Sequence, residues 1–195
     1  MGGNDLLRGG AGSDQLDGGN GVDTVTYTDS ATGVTVNLAT GVGAAGDAEG
    51  DSFTNIENLN GSTGADTLIG NASANVLNGW AGKDVLTGGA GADRFVFSAA
   101  VHSTIGVNAD RITDFSHAQG DRIDLSAIDA NTAAAGDQAF GFIGTGFYTH
   151  HAGELHYAFS GNTTIIGGDI NGDGTSDFNI ILAGNVAPVA GDFVL

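Results

Sequence analysis

The chain has 195 residues, 35 of them glycine and one proline, and carries 23 acidic residues against 5 lysines plus arginines for a formal net charge of −18. Such a charge repels nucleic acid and anionic membranes and excludes both as natural partners. Zero cysteines exclude a disulfide framework and thiolate metal sites.

The first 26 residues open a nine-residue repeat, Gly-Gly-x-Gly-x-Asp-x-apolar-x. "GGNDLLR" is a shortened copy with Asp5 in the acid position, "GGAGSDQLD" carries Asp14 and "GGNGVDTVT" carries Asp23. After an interruption at 27–60 come "GSTGADTLI" with Asp66, "GNASANVLN" with Asn75, "GWAGKDVLT" with Asp84 and "GGAGADRFV" with Asp93. Glycine supplies the left-handed or close-approach backbone of a turn. The x-apolar-x end alternates as a short strand with one inward residue, here Leu7, Leu16, Val25, Leu68, Leu77, Leu86 and Phe95. One such strand cannot bury its own apolar face, so the units must stack. With two units per turn of a flattened right-handed roll, units eighteen residues apart lie side by side, pairing Asp5 with Asp23, Asp66 with Asp84 and Asn75 with Asp93.

Carboxylates stacked at a strand spacing of about 4.8 Å repel one another. A hard dication between them reverses the sign. The unit offers only oxygen donors, which suits the 6–8 oxygen ligands typical of Ca²⁺ and argues against zinc or copper. The competing reading is a glycine-rich β-solenoid without metal. The acidic balance likewise has two readings, a solvated surface or a chain that needs cations to fold.

This unit resembles the RTX calcium-binding nonapeptide repeat. The resemblance implies ligands from the carbonyls of the first four turn positions and from the acid. Those are Gly9, Gly10, Ala11, Gly12 and Asp14, and then Gly18, Gly19, Asn20, Gly21 and Asp23. The second block supplies Gly61, Thr63, Gly64 and Asp66, then Gly79, Trp80, Ala81, Gly82 and Asp84, then Gly88, Gly89, Ala90, Gly91 and Asp93. Asp5 and Asn75 contribute from the remaining units. Asn75 and Ser73 depart from the pattern, so a cage built on Asn75 is expected to be weaker or empty.

Within the interruption, "GVTVNLATG" alternates Val34, Val36 and Leu38 and predicts a strand. Phe53, Ile56 and Leu59 precede the next unit, so both stretches read as irregular coils of the same roll, with a break into two rolls as the alternative. "VGAAGDAEGD" between them reads as an exposed loop. Its Asp47, Glu49 and Asp51 are either solvated or hold an ion.

After Phe97 the glycine period stops. "DRITDFSHAQGDRIDLSAID", residues 110–129, resembles the C-terminal domain of the serralysin proteases, in which D-x-I-x-D-F … G-x-D-x-I-D-L-S follows the repeats. Related modules occur in type I-secreted lipases and alginate epimerases. The resemblance implies an all-β fold: a parallel β-roll over 1–97, irregular at 27–60, capped by a β-sandwich-like region over 98–195. It also implies further calcium ligands at Asp110, Asp114 and Asp121, which otherwise cap turns.

"FYTHHAGELHYAF", residues 147–159, predicts a hairpin turning near Ala152-Gly153. His150, His151, Glu154 and His156 invite a zinc reading, but strand alternation sends His150 and His151 to opposite faces and the spacing is not that of a zinc-protease helix. They read as ordinary hairpin residues. "DINGDGTSD", residues 169–177, begins like an EF-hand loop, with Asp169, Asn171, Asp173 and Asp177 as side-chain ligands and Thr175 as a carbonyl ligand. Ile180 stands where that loop needs its bidentate glutamate, and a plain Asp/Gly turn is the alternative. The last residues, "GDFVL", resemble an uncleaved type I secretion signal and also read as an edge strand.

No H-E-x-x-H, G-x-S-x-G or P-loop is present, which points to a non-catalytic module. No apolar run is long enough to span a bilayer, and "MGGNDLL" does not read as a signal peptide. The expectation is a secreted, extracellular module that folds on calcium. It would belong to a larger protease, lipase or epimerase, with an N-terminal catalytic or adhesive domain and the type I secretion machinery as partners. A polysaccharide-binding or adhesin-like module is the alternative.

Overall fold

Strands of three residues are too short to persist outside a stack, and stacking dictates this architecture. The computed structural model describes residues 2–195. Along the chain run β1 (Leu6–Leu7), β2 (Gln15–Asp17), β3 (Thr24–Thr26), β4 (Thr35–Asn37), β5 (Val42–Ala44), β6 (Ser52–Thr54), β7 (Asn58–Asn60), β8 (Thr67–Ile69) and β9 (Val76–Asn78). They are followed by β10 (Val85–Thr87), β11 (Arg94–Val96), β12 (Asp110–Ile112), β13 (Arg122–Asp124), β14 (Gly141–Gly144), β15 (Glu154–Ser160), β16 (Thr163–Asp169), β17 (Phe178–Ala183) and β18 (Phe193–Val194).

Two sheets result. Sheet one is parallel throughout, in the order β1-β3-β7-β9-β11-β13-β18. Sheet two runs β2-β6-β5-β4-β8-β10-β12-β17-β16-β15-β14. From β7 to β13 successive strands alternate between the sheets, so the chain coils with one strand in each layer per turn. The eighteen-residue register holds, with Leu68 opposite Leu86 and Leu77 opposite Phe95. The fold is the all-β parallel roll that the repeat predicts.

Each short strand turns one side chain inward. Val25, Leu59, Leu77, Phe95 and Ile123 form a column on sheet one, and Val36, Leu68, Leu86, Ile112 and Leu182 a column on sheet two, each at most 1% exposed. Parallel in-register pairing puts each residue against its equivalent in the next coil, which gives the columns their continuity. Leu86→Ala is expected to cost about 2–5 kcal/mol, read as a lower urea midpoint in saturating calcium.

The interruption contains β4, β5 and β6, an antiparallel meander inside sheet two that joins β8 through β4 and β2 through β6. Sheet one meanwhile passes directly from β3 to β7. The stretch 42–51 is mostly exposed but is not a plain loop. It holds β5 and a 3₁₀ turn at Gly46–Ala48, with Ala48 and Asp51 buried. Its inward strand residue is Gly43, which has no side chain to reveal the alternation.

Past residue 97, β12 and β17 continue sheet two while β13 and β18 continue sheet one. β15, β16 and β17 are antiparallel. The hairpin does not turn at Ala152-Gly153: β14 meets β15 in parallel, and the reversal lies at Ser160–Thr163, where Gly161 has φ 61°. Among the described residues no helix is long and apolar enough to cross a membrane.

Candidate metal centre

Parallel register also stacks the residue that precedes each strand. In sheet one these are Asp5, Asp23, Glu57, Asn75, Asp93 and Asp121, and in sheet two Asp14, Asp51, Asp66 and Asp84, continued by Asp110. For seven of these residues the backbone amide donates to the carboxylate of the next coil. Asp5 N reaches Asp23 Oδ1 at 2.7 Å, Asp66 N reaches Asp84 Oδ1 at 2.8 Å and Asn75 N reaches Asp93 Oδ1 at 2.8 Å, the three pairs expected from the repeat. The ladder extends through Asp84 N to Asp110 Oδ1 (2.8 Å), Asp93 N to Asp121 Oδ1 (3.0 Å), Asp14 N to Asp51 Oδ1 (2.7 Å) and Asp23 N to Glu57 Oε2 (2.8 Å).

The second oxygens differ. Oδ2 of Asp5, Asp23, Asp84 and Asp93 is buried and accepts no hydrogen bond, a state that costs about 1–3 kcal/mol for a neutral group and more for a charge. The turns explain why no amide reaches them. Positions two and four are left-handed in Gly10 and Gly12, Gly19 and Gly21, Trp80 and Gly82, and Gly89 and Gly91, with Ala11, Asn20, Ala81 and Ala90 between them. Trp80 holds this conformation at φ 63°, where a bulky side chain is an outlier. The position-two amide is drawn elsewhere: Gly19 N to Asp17 Oδ1 (3.1 Å), Trp80 N to Asn78 Oδ1 (3.0 Å) and Gly89 N to Asp114 Oδ2 (2.8 Å). The first glycine serves a different need. A Cβ at Gly18, Gly79 or Gly88 would overlap the carboxylate of Asp23, Asp84 or Asp93, and one at Gly9 would crowd Asp14.

Burial dominates the electrostatics. It pushes Asp84 up to about 8; the amide of Asp66 opposes the shift, while the charges of Asp110 and Asp66 add to it. It likewise raises Asp110 to about 7 and Asp93 to about 6, and moves Asp66 and Asp121 upward. Protein groups alone leave this buried row of like charges with unpaired oxygens.

Among the C-terminal candidates, Asp110 and Asp121 join the ladder, and Asp121 Oδ2 also accepts Ser116 N at 2.8 Å. Asp114 accepts the amides of Gly88 (2.9 Å) and Gly89 (2.8 Å), which fixes the last repeat turn. The 169–177 loop lies apart from the ladder and is bonded to itself. Asp169 accepts Gly172 N (2.6 Å) and Gly174 N (2.8 Å), Asp173 accepts Thr175 N and Oγ1, and Asp177 accepts Ile170 N and Asn171 Nδ2. The hairpin histidines disperse: His150 Nδ1 meets Asp173 O, His151 Nδ1 meets Thr149 Oγ1, and His156 packs on Tyr148. Two rungs escape the repeat pattern, Asp51 and Glu57. Their signal is the bare Asp-Ser-Phe-Thr and Glu-Asn-Leu-Asn, the acid-x-apolar-x half of the unit without its glycines. Asp47 and Glu49 stand outside the ladder, and Glu49 Oε2 accepts Ala45 N.

The family model "Peptidase M10 serralysin C terminal" matches residues 16–195. The chain belongs to the peptidase M10 serralysin C-terminal family. The family model "RTX calcium-binding nonapeptide repeat (4 copies)" matches residues 1–27, so this serralysin-type chain is a calcium-binding RTX module. Among solved structures it is similar to the AlgE6R3 subunit from the Azotobacter vinelandii mannuronan C5-epimerase, at 23% identity over 98% of this chain and 78% of that one, with a TM-score of 0.41. It is also similar to the AlgE6R2 subunit of that epimerase, at 22% identity over 100% and 91%, with a TM-score of 0.43. No curated protein matches the chain.

The orphaned carboxylate oxygens of Asp5, Asp23, Asp84 and Asp93 are hard donors of the kind that calcium takes. Gly88→Ala is expected to raise the calcium concentration at half-folding roughly tenfold, equivalent to about 1.4 kcal/mol, because the added methyl must displace the Asp93 carboxylate. A calcium titration followed by circular dichroism measures the shift.

Proposed function

We propose that the chain is the calcium-driven folding and secretion module of a larger extracellular protein, a protease, lipase or epimerase, and that it catalyses no reaction itself. The observation supporting this is the set of buried Oδ2 atoms on Asp5, Asp23, Asp84 and Asp93 that no protein donor satisfies. These carboxylates would hold calcium together with carbonyls of the glycine turns before them. Bound calcium supplies the positive charge that stacked carboxylates lack. In calcium-poor cytosol, repulsion along the ladder and the backbone entropy of the glycines keep the chain open and exportable. Outside, extracellular modules of this kind bind calcium at about 10⁻⁴ to 10⁻³ M, and binding free energy becomes folding free energy because the unfolded chain holds no cage.

The C-terminal residues fit the same cycle. β18 pairs with β13, and the fully buried Asp192 contacts His117 Nδ1 at 2.5 Å. A secretion signal in "GDFVL" would be readable by the type I machinery only while the chain is unfolded. Co-expression with a type I exporter tests the proposal. The chain is expected in the medium whether or not calcium is added, and protease-resistant only when it is. Retention in the cell, or resistance without calcium, would contradict it.

One observation favours a second reading, polysaccharide binding. The outward row Thr35, Thr67, Val85, Arg111, Ile181 crosses sheet two without an acid, although the chain carries 23. Titration with a polyuronate, with and without calcium, decides it: saturable binding abolished by Arg111→Ala supports the reading, and no binding removes it.

A further inference from the structure

The seven repeat turns are not alike. Five have the left-handed backbone, marked by Gly3, Gly12, Gly21, Gly82 and Gly91 at the fourth position. The two in the middle, 61–66 and 70–75, do not: Ser62, Gly64, Asn71 and Ser73 all lack positive φ. There the position-two amide closes onto the acid position of its own unit, a contact that the amides of Gly10, Gly19, Trp80 and Gly89 do not make. Ser62 N donates to Asp66 Oδ2 at 2.7 Å and Ser62 Oγ to Asp66 Oδ1 at 2.8 Å, while Val34 N donates to the same Oδ1 at 2.7 Å. Asn71 N donates to Asn75 Oδ1 at 2.8 Å, and Asn75 Nδ2 points its own proton at Glu57 O, 2.6 Å away. An amide NH₂ facing a carbonyl supplies a positive end where a cation would otherwise sit.

The third case lies in the meander. Asp51 is buried and accepts Asp14 N on Oδ1, like the other rungs, but Tyr27 Oη donates to its Oδ2 at 2.6 Å. Tyr27 is itself buried, and its hydroxyl is pushed far above the usual phenol range, first by burial and then by Asp51. It therefore stays a proton donor. Asp51, Asp66 and Asn75 are thus closed by protein, while the orphaned oxygens fall on either side, on Asp5 and Asp23 before them and on Asp84 and Asp93 after them.

We propose that the middle of the roll is a metal-independent clasp, built from Tyr27–Asp51, Ser62–Asp66 and Asn71–Asn75–Glu57, and that calcium is taken up in two separate sets of turns flanking it. The assignment rests on the reading of the orphaned oxygens as calcium sites. It departs from the plain repeat pattern at Asp66, which keeps the consensus acid yet has no free oxygen. In the folded chain the clasp joins two metal-loaded halves and takes no ion of its own.

Calcium bound per chain, counted by equilibrium dialysis, tests this. The variant combining Ser62→Gly with Asn75→Asp restores the consensus to the 61–66 turn and the acid to the 70–75 turn, and is expected to bind at least one more ion than the wild type. An unchanged count overturns the proposal, because the central turns would then be no less occupied without the consensus residues than with them. Should the double variant not fold, Ser62→Gly alone makes the same comparison without adding charge. A wild type that binds no calcium overturns the underlying calcium reading instead, which separates the two failures. Tyr27→Phe completes the test. It leaves Asp51 Oδ2 unpaired and is expected to raise the calcium concentration needed for folding several-fold; an unaltered requirement counts against the Tyr27–Asp51 arm.

Discussion

In excess EDTA at neutral pH the chain is expected to lose its β-sheet signal and expand from a radius of gyration of about 16 Å to about 47 Å, the values for folded and unfolded chains of this length. Calcium at millimolar concentration should restore both. The size of the effect follows from the ladder. Asp23, Asp66, Asp84, Asp93, Asp110 and Asp121 are each at most 1% exposed, and the lysines and arginines that could neutralise them number 5 against 23 acids. Of these few cations, Arg94 is committed to Asp124 and Arg8 to Asp29, both outside the ladder. Natural domains are stable by only about 5–15 kcal/mol, and four buried, unpaired carboxylate oxygens are enough to cancel that. Small-angle scattering and circular dichroism on the same samples check the result. A compact β-rich chain in EDTA would show that the protein closes the coils without ions.

Acid is expected to substitute in part for calcium. Burial raises Asp84 to about 8, Asp110 to about 7 and Asp93 to about 6 in the folded chain, whereas an unfolded aspartate titrates near about 3.9. The folded state therefore binds more protons than the unfolded state between those values. Its stability is greatest at the acid end and is lost as pH rises through the folded values. In EDTA the β signal should grow as pH falls from 8 towards 5. With calcium present the slope should reverse, because ligating carboxylates must be deprotonated and affinity falls with pH. A pH series in each buffer, followed by circular dichroism, measures both slopes. Parallel slopes would mean that the ladder carboxylates do not govern folding.

The roll was readable because acid, glycines and inward apolar residue lie within one nine-residue window, so the register followed from periodicity alone. Asp5–Asp23, Asp66–Asp84 and Asn75–Asp93 needed no long-range information. The meander resisted the same reading. Gly43 conceals its inward position, and β4 to β6 are selected by partners in other coils. Asp51 and Glu57 are rungs without glycine turns, so only the three-dimensional stack identifies them. Tyr27 is the first residue of the interruption, and its hydroxyl partner is 24 residues away. Local sequence does not locate the C-terminal hairpin turn, because Gly153 and Gly161 both have left-handed backbones (φ 88° and 61°). The parallel pairing of β14 with β15 decides between them.

The most direct measurement is an anomalous difference map from crystals grown in calcium and recorded at long wavelength. Peaks are expected beside Oδ2 of Asp5, Asp23, Asp84 and Asp93, with none beside Asp51, Asp66 or Asn75. An ordered stack carrying only water next to those four oxygens would contradict the claim that divalent ions hold the coils together.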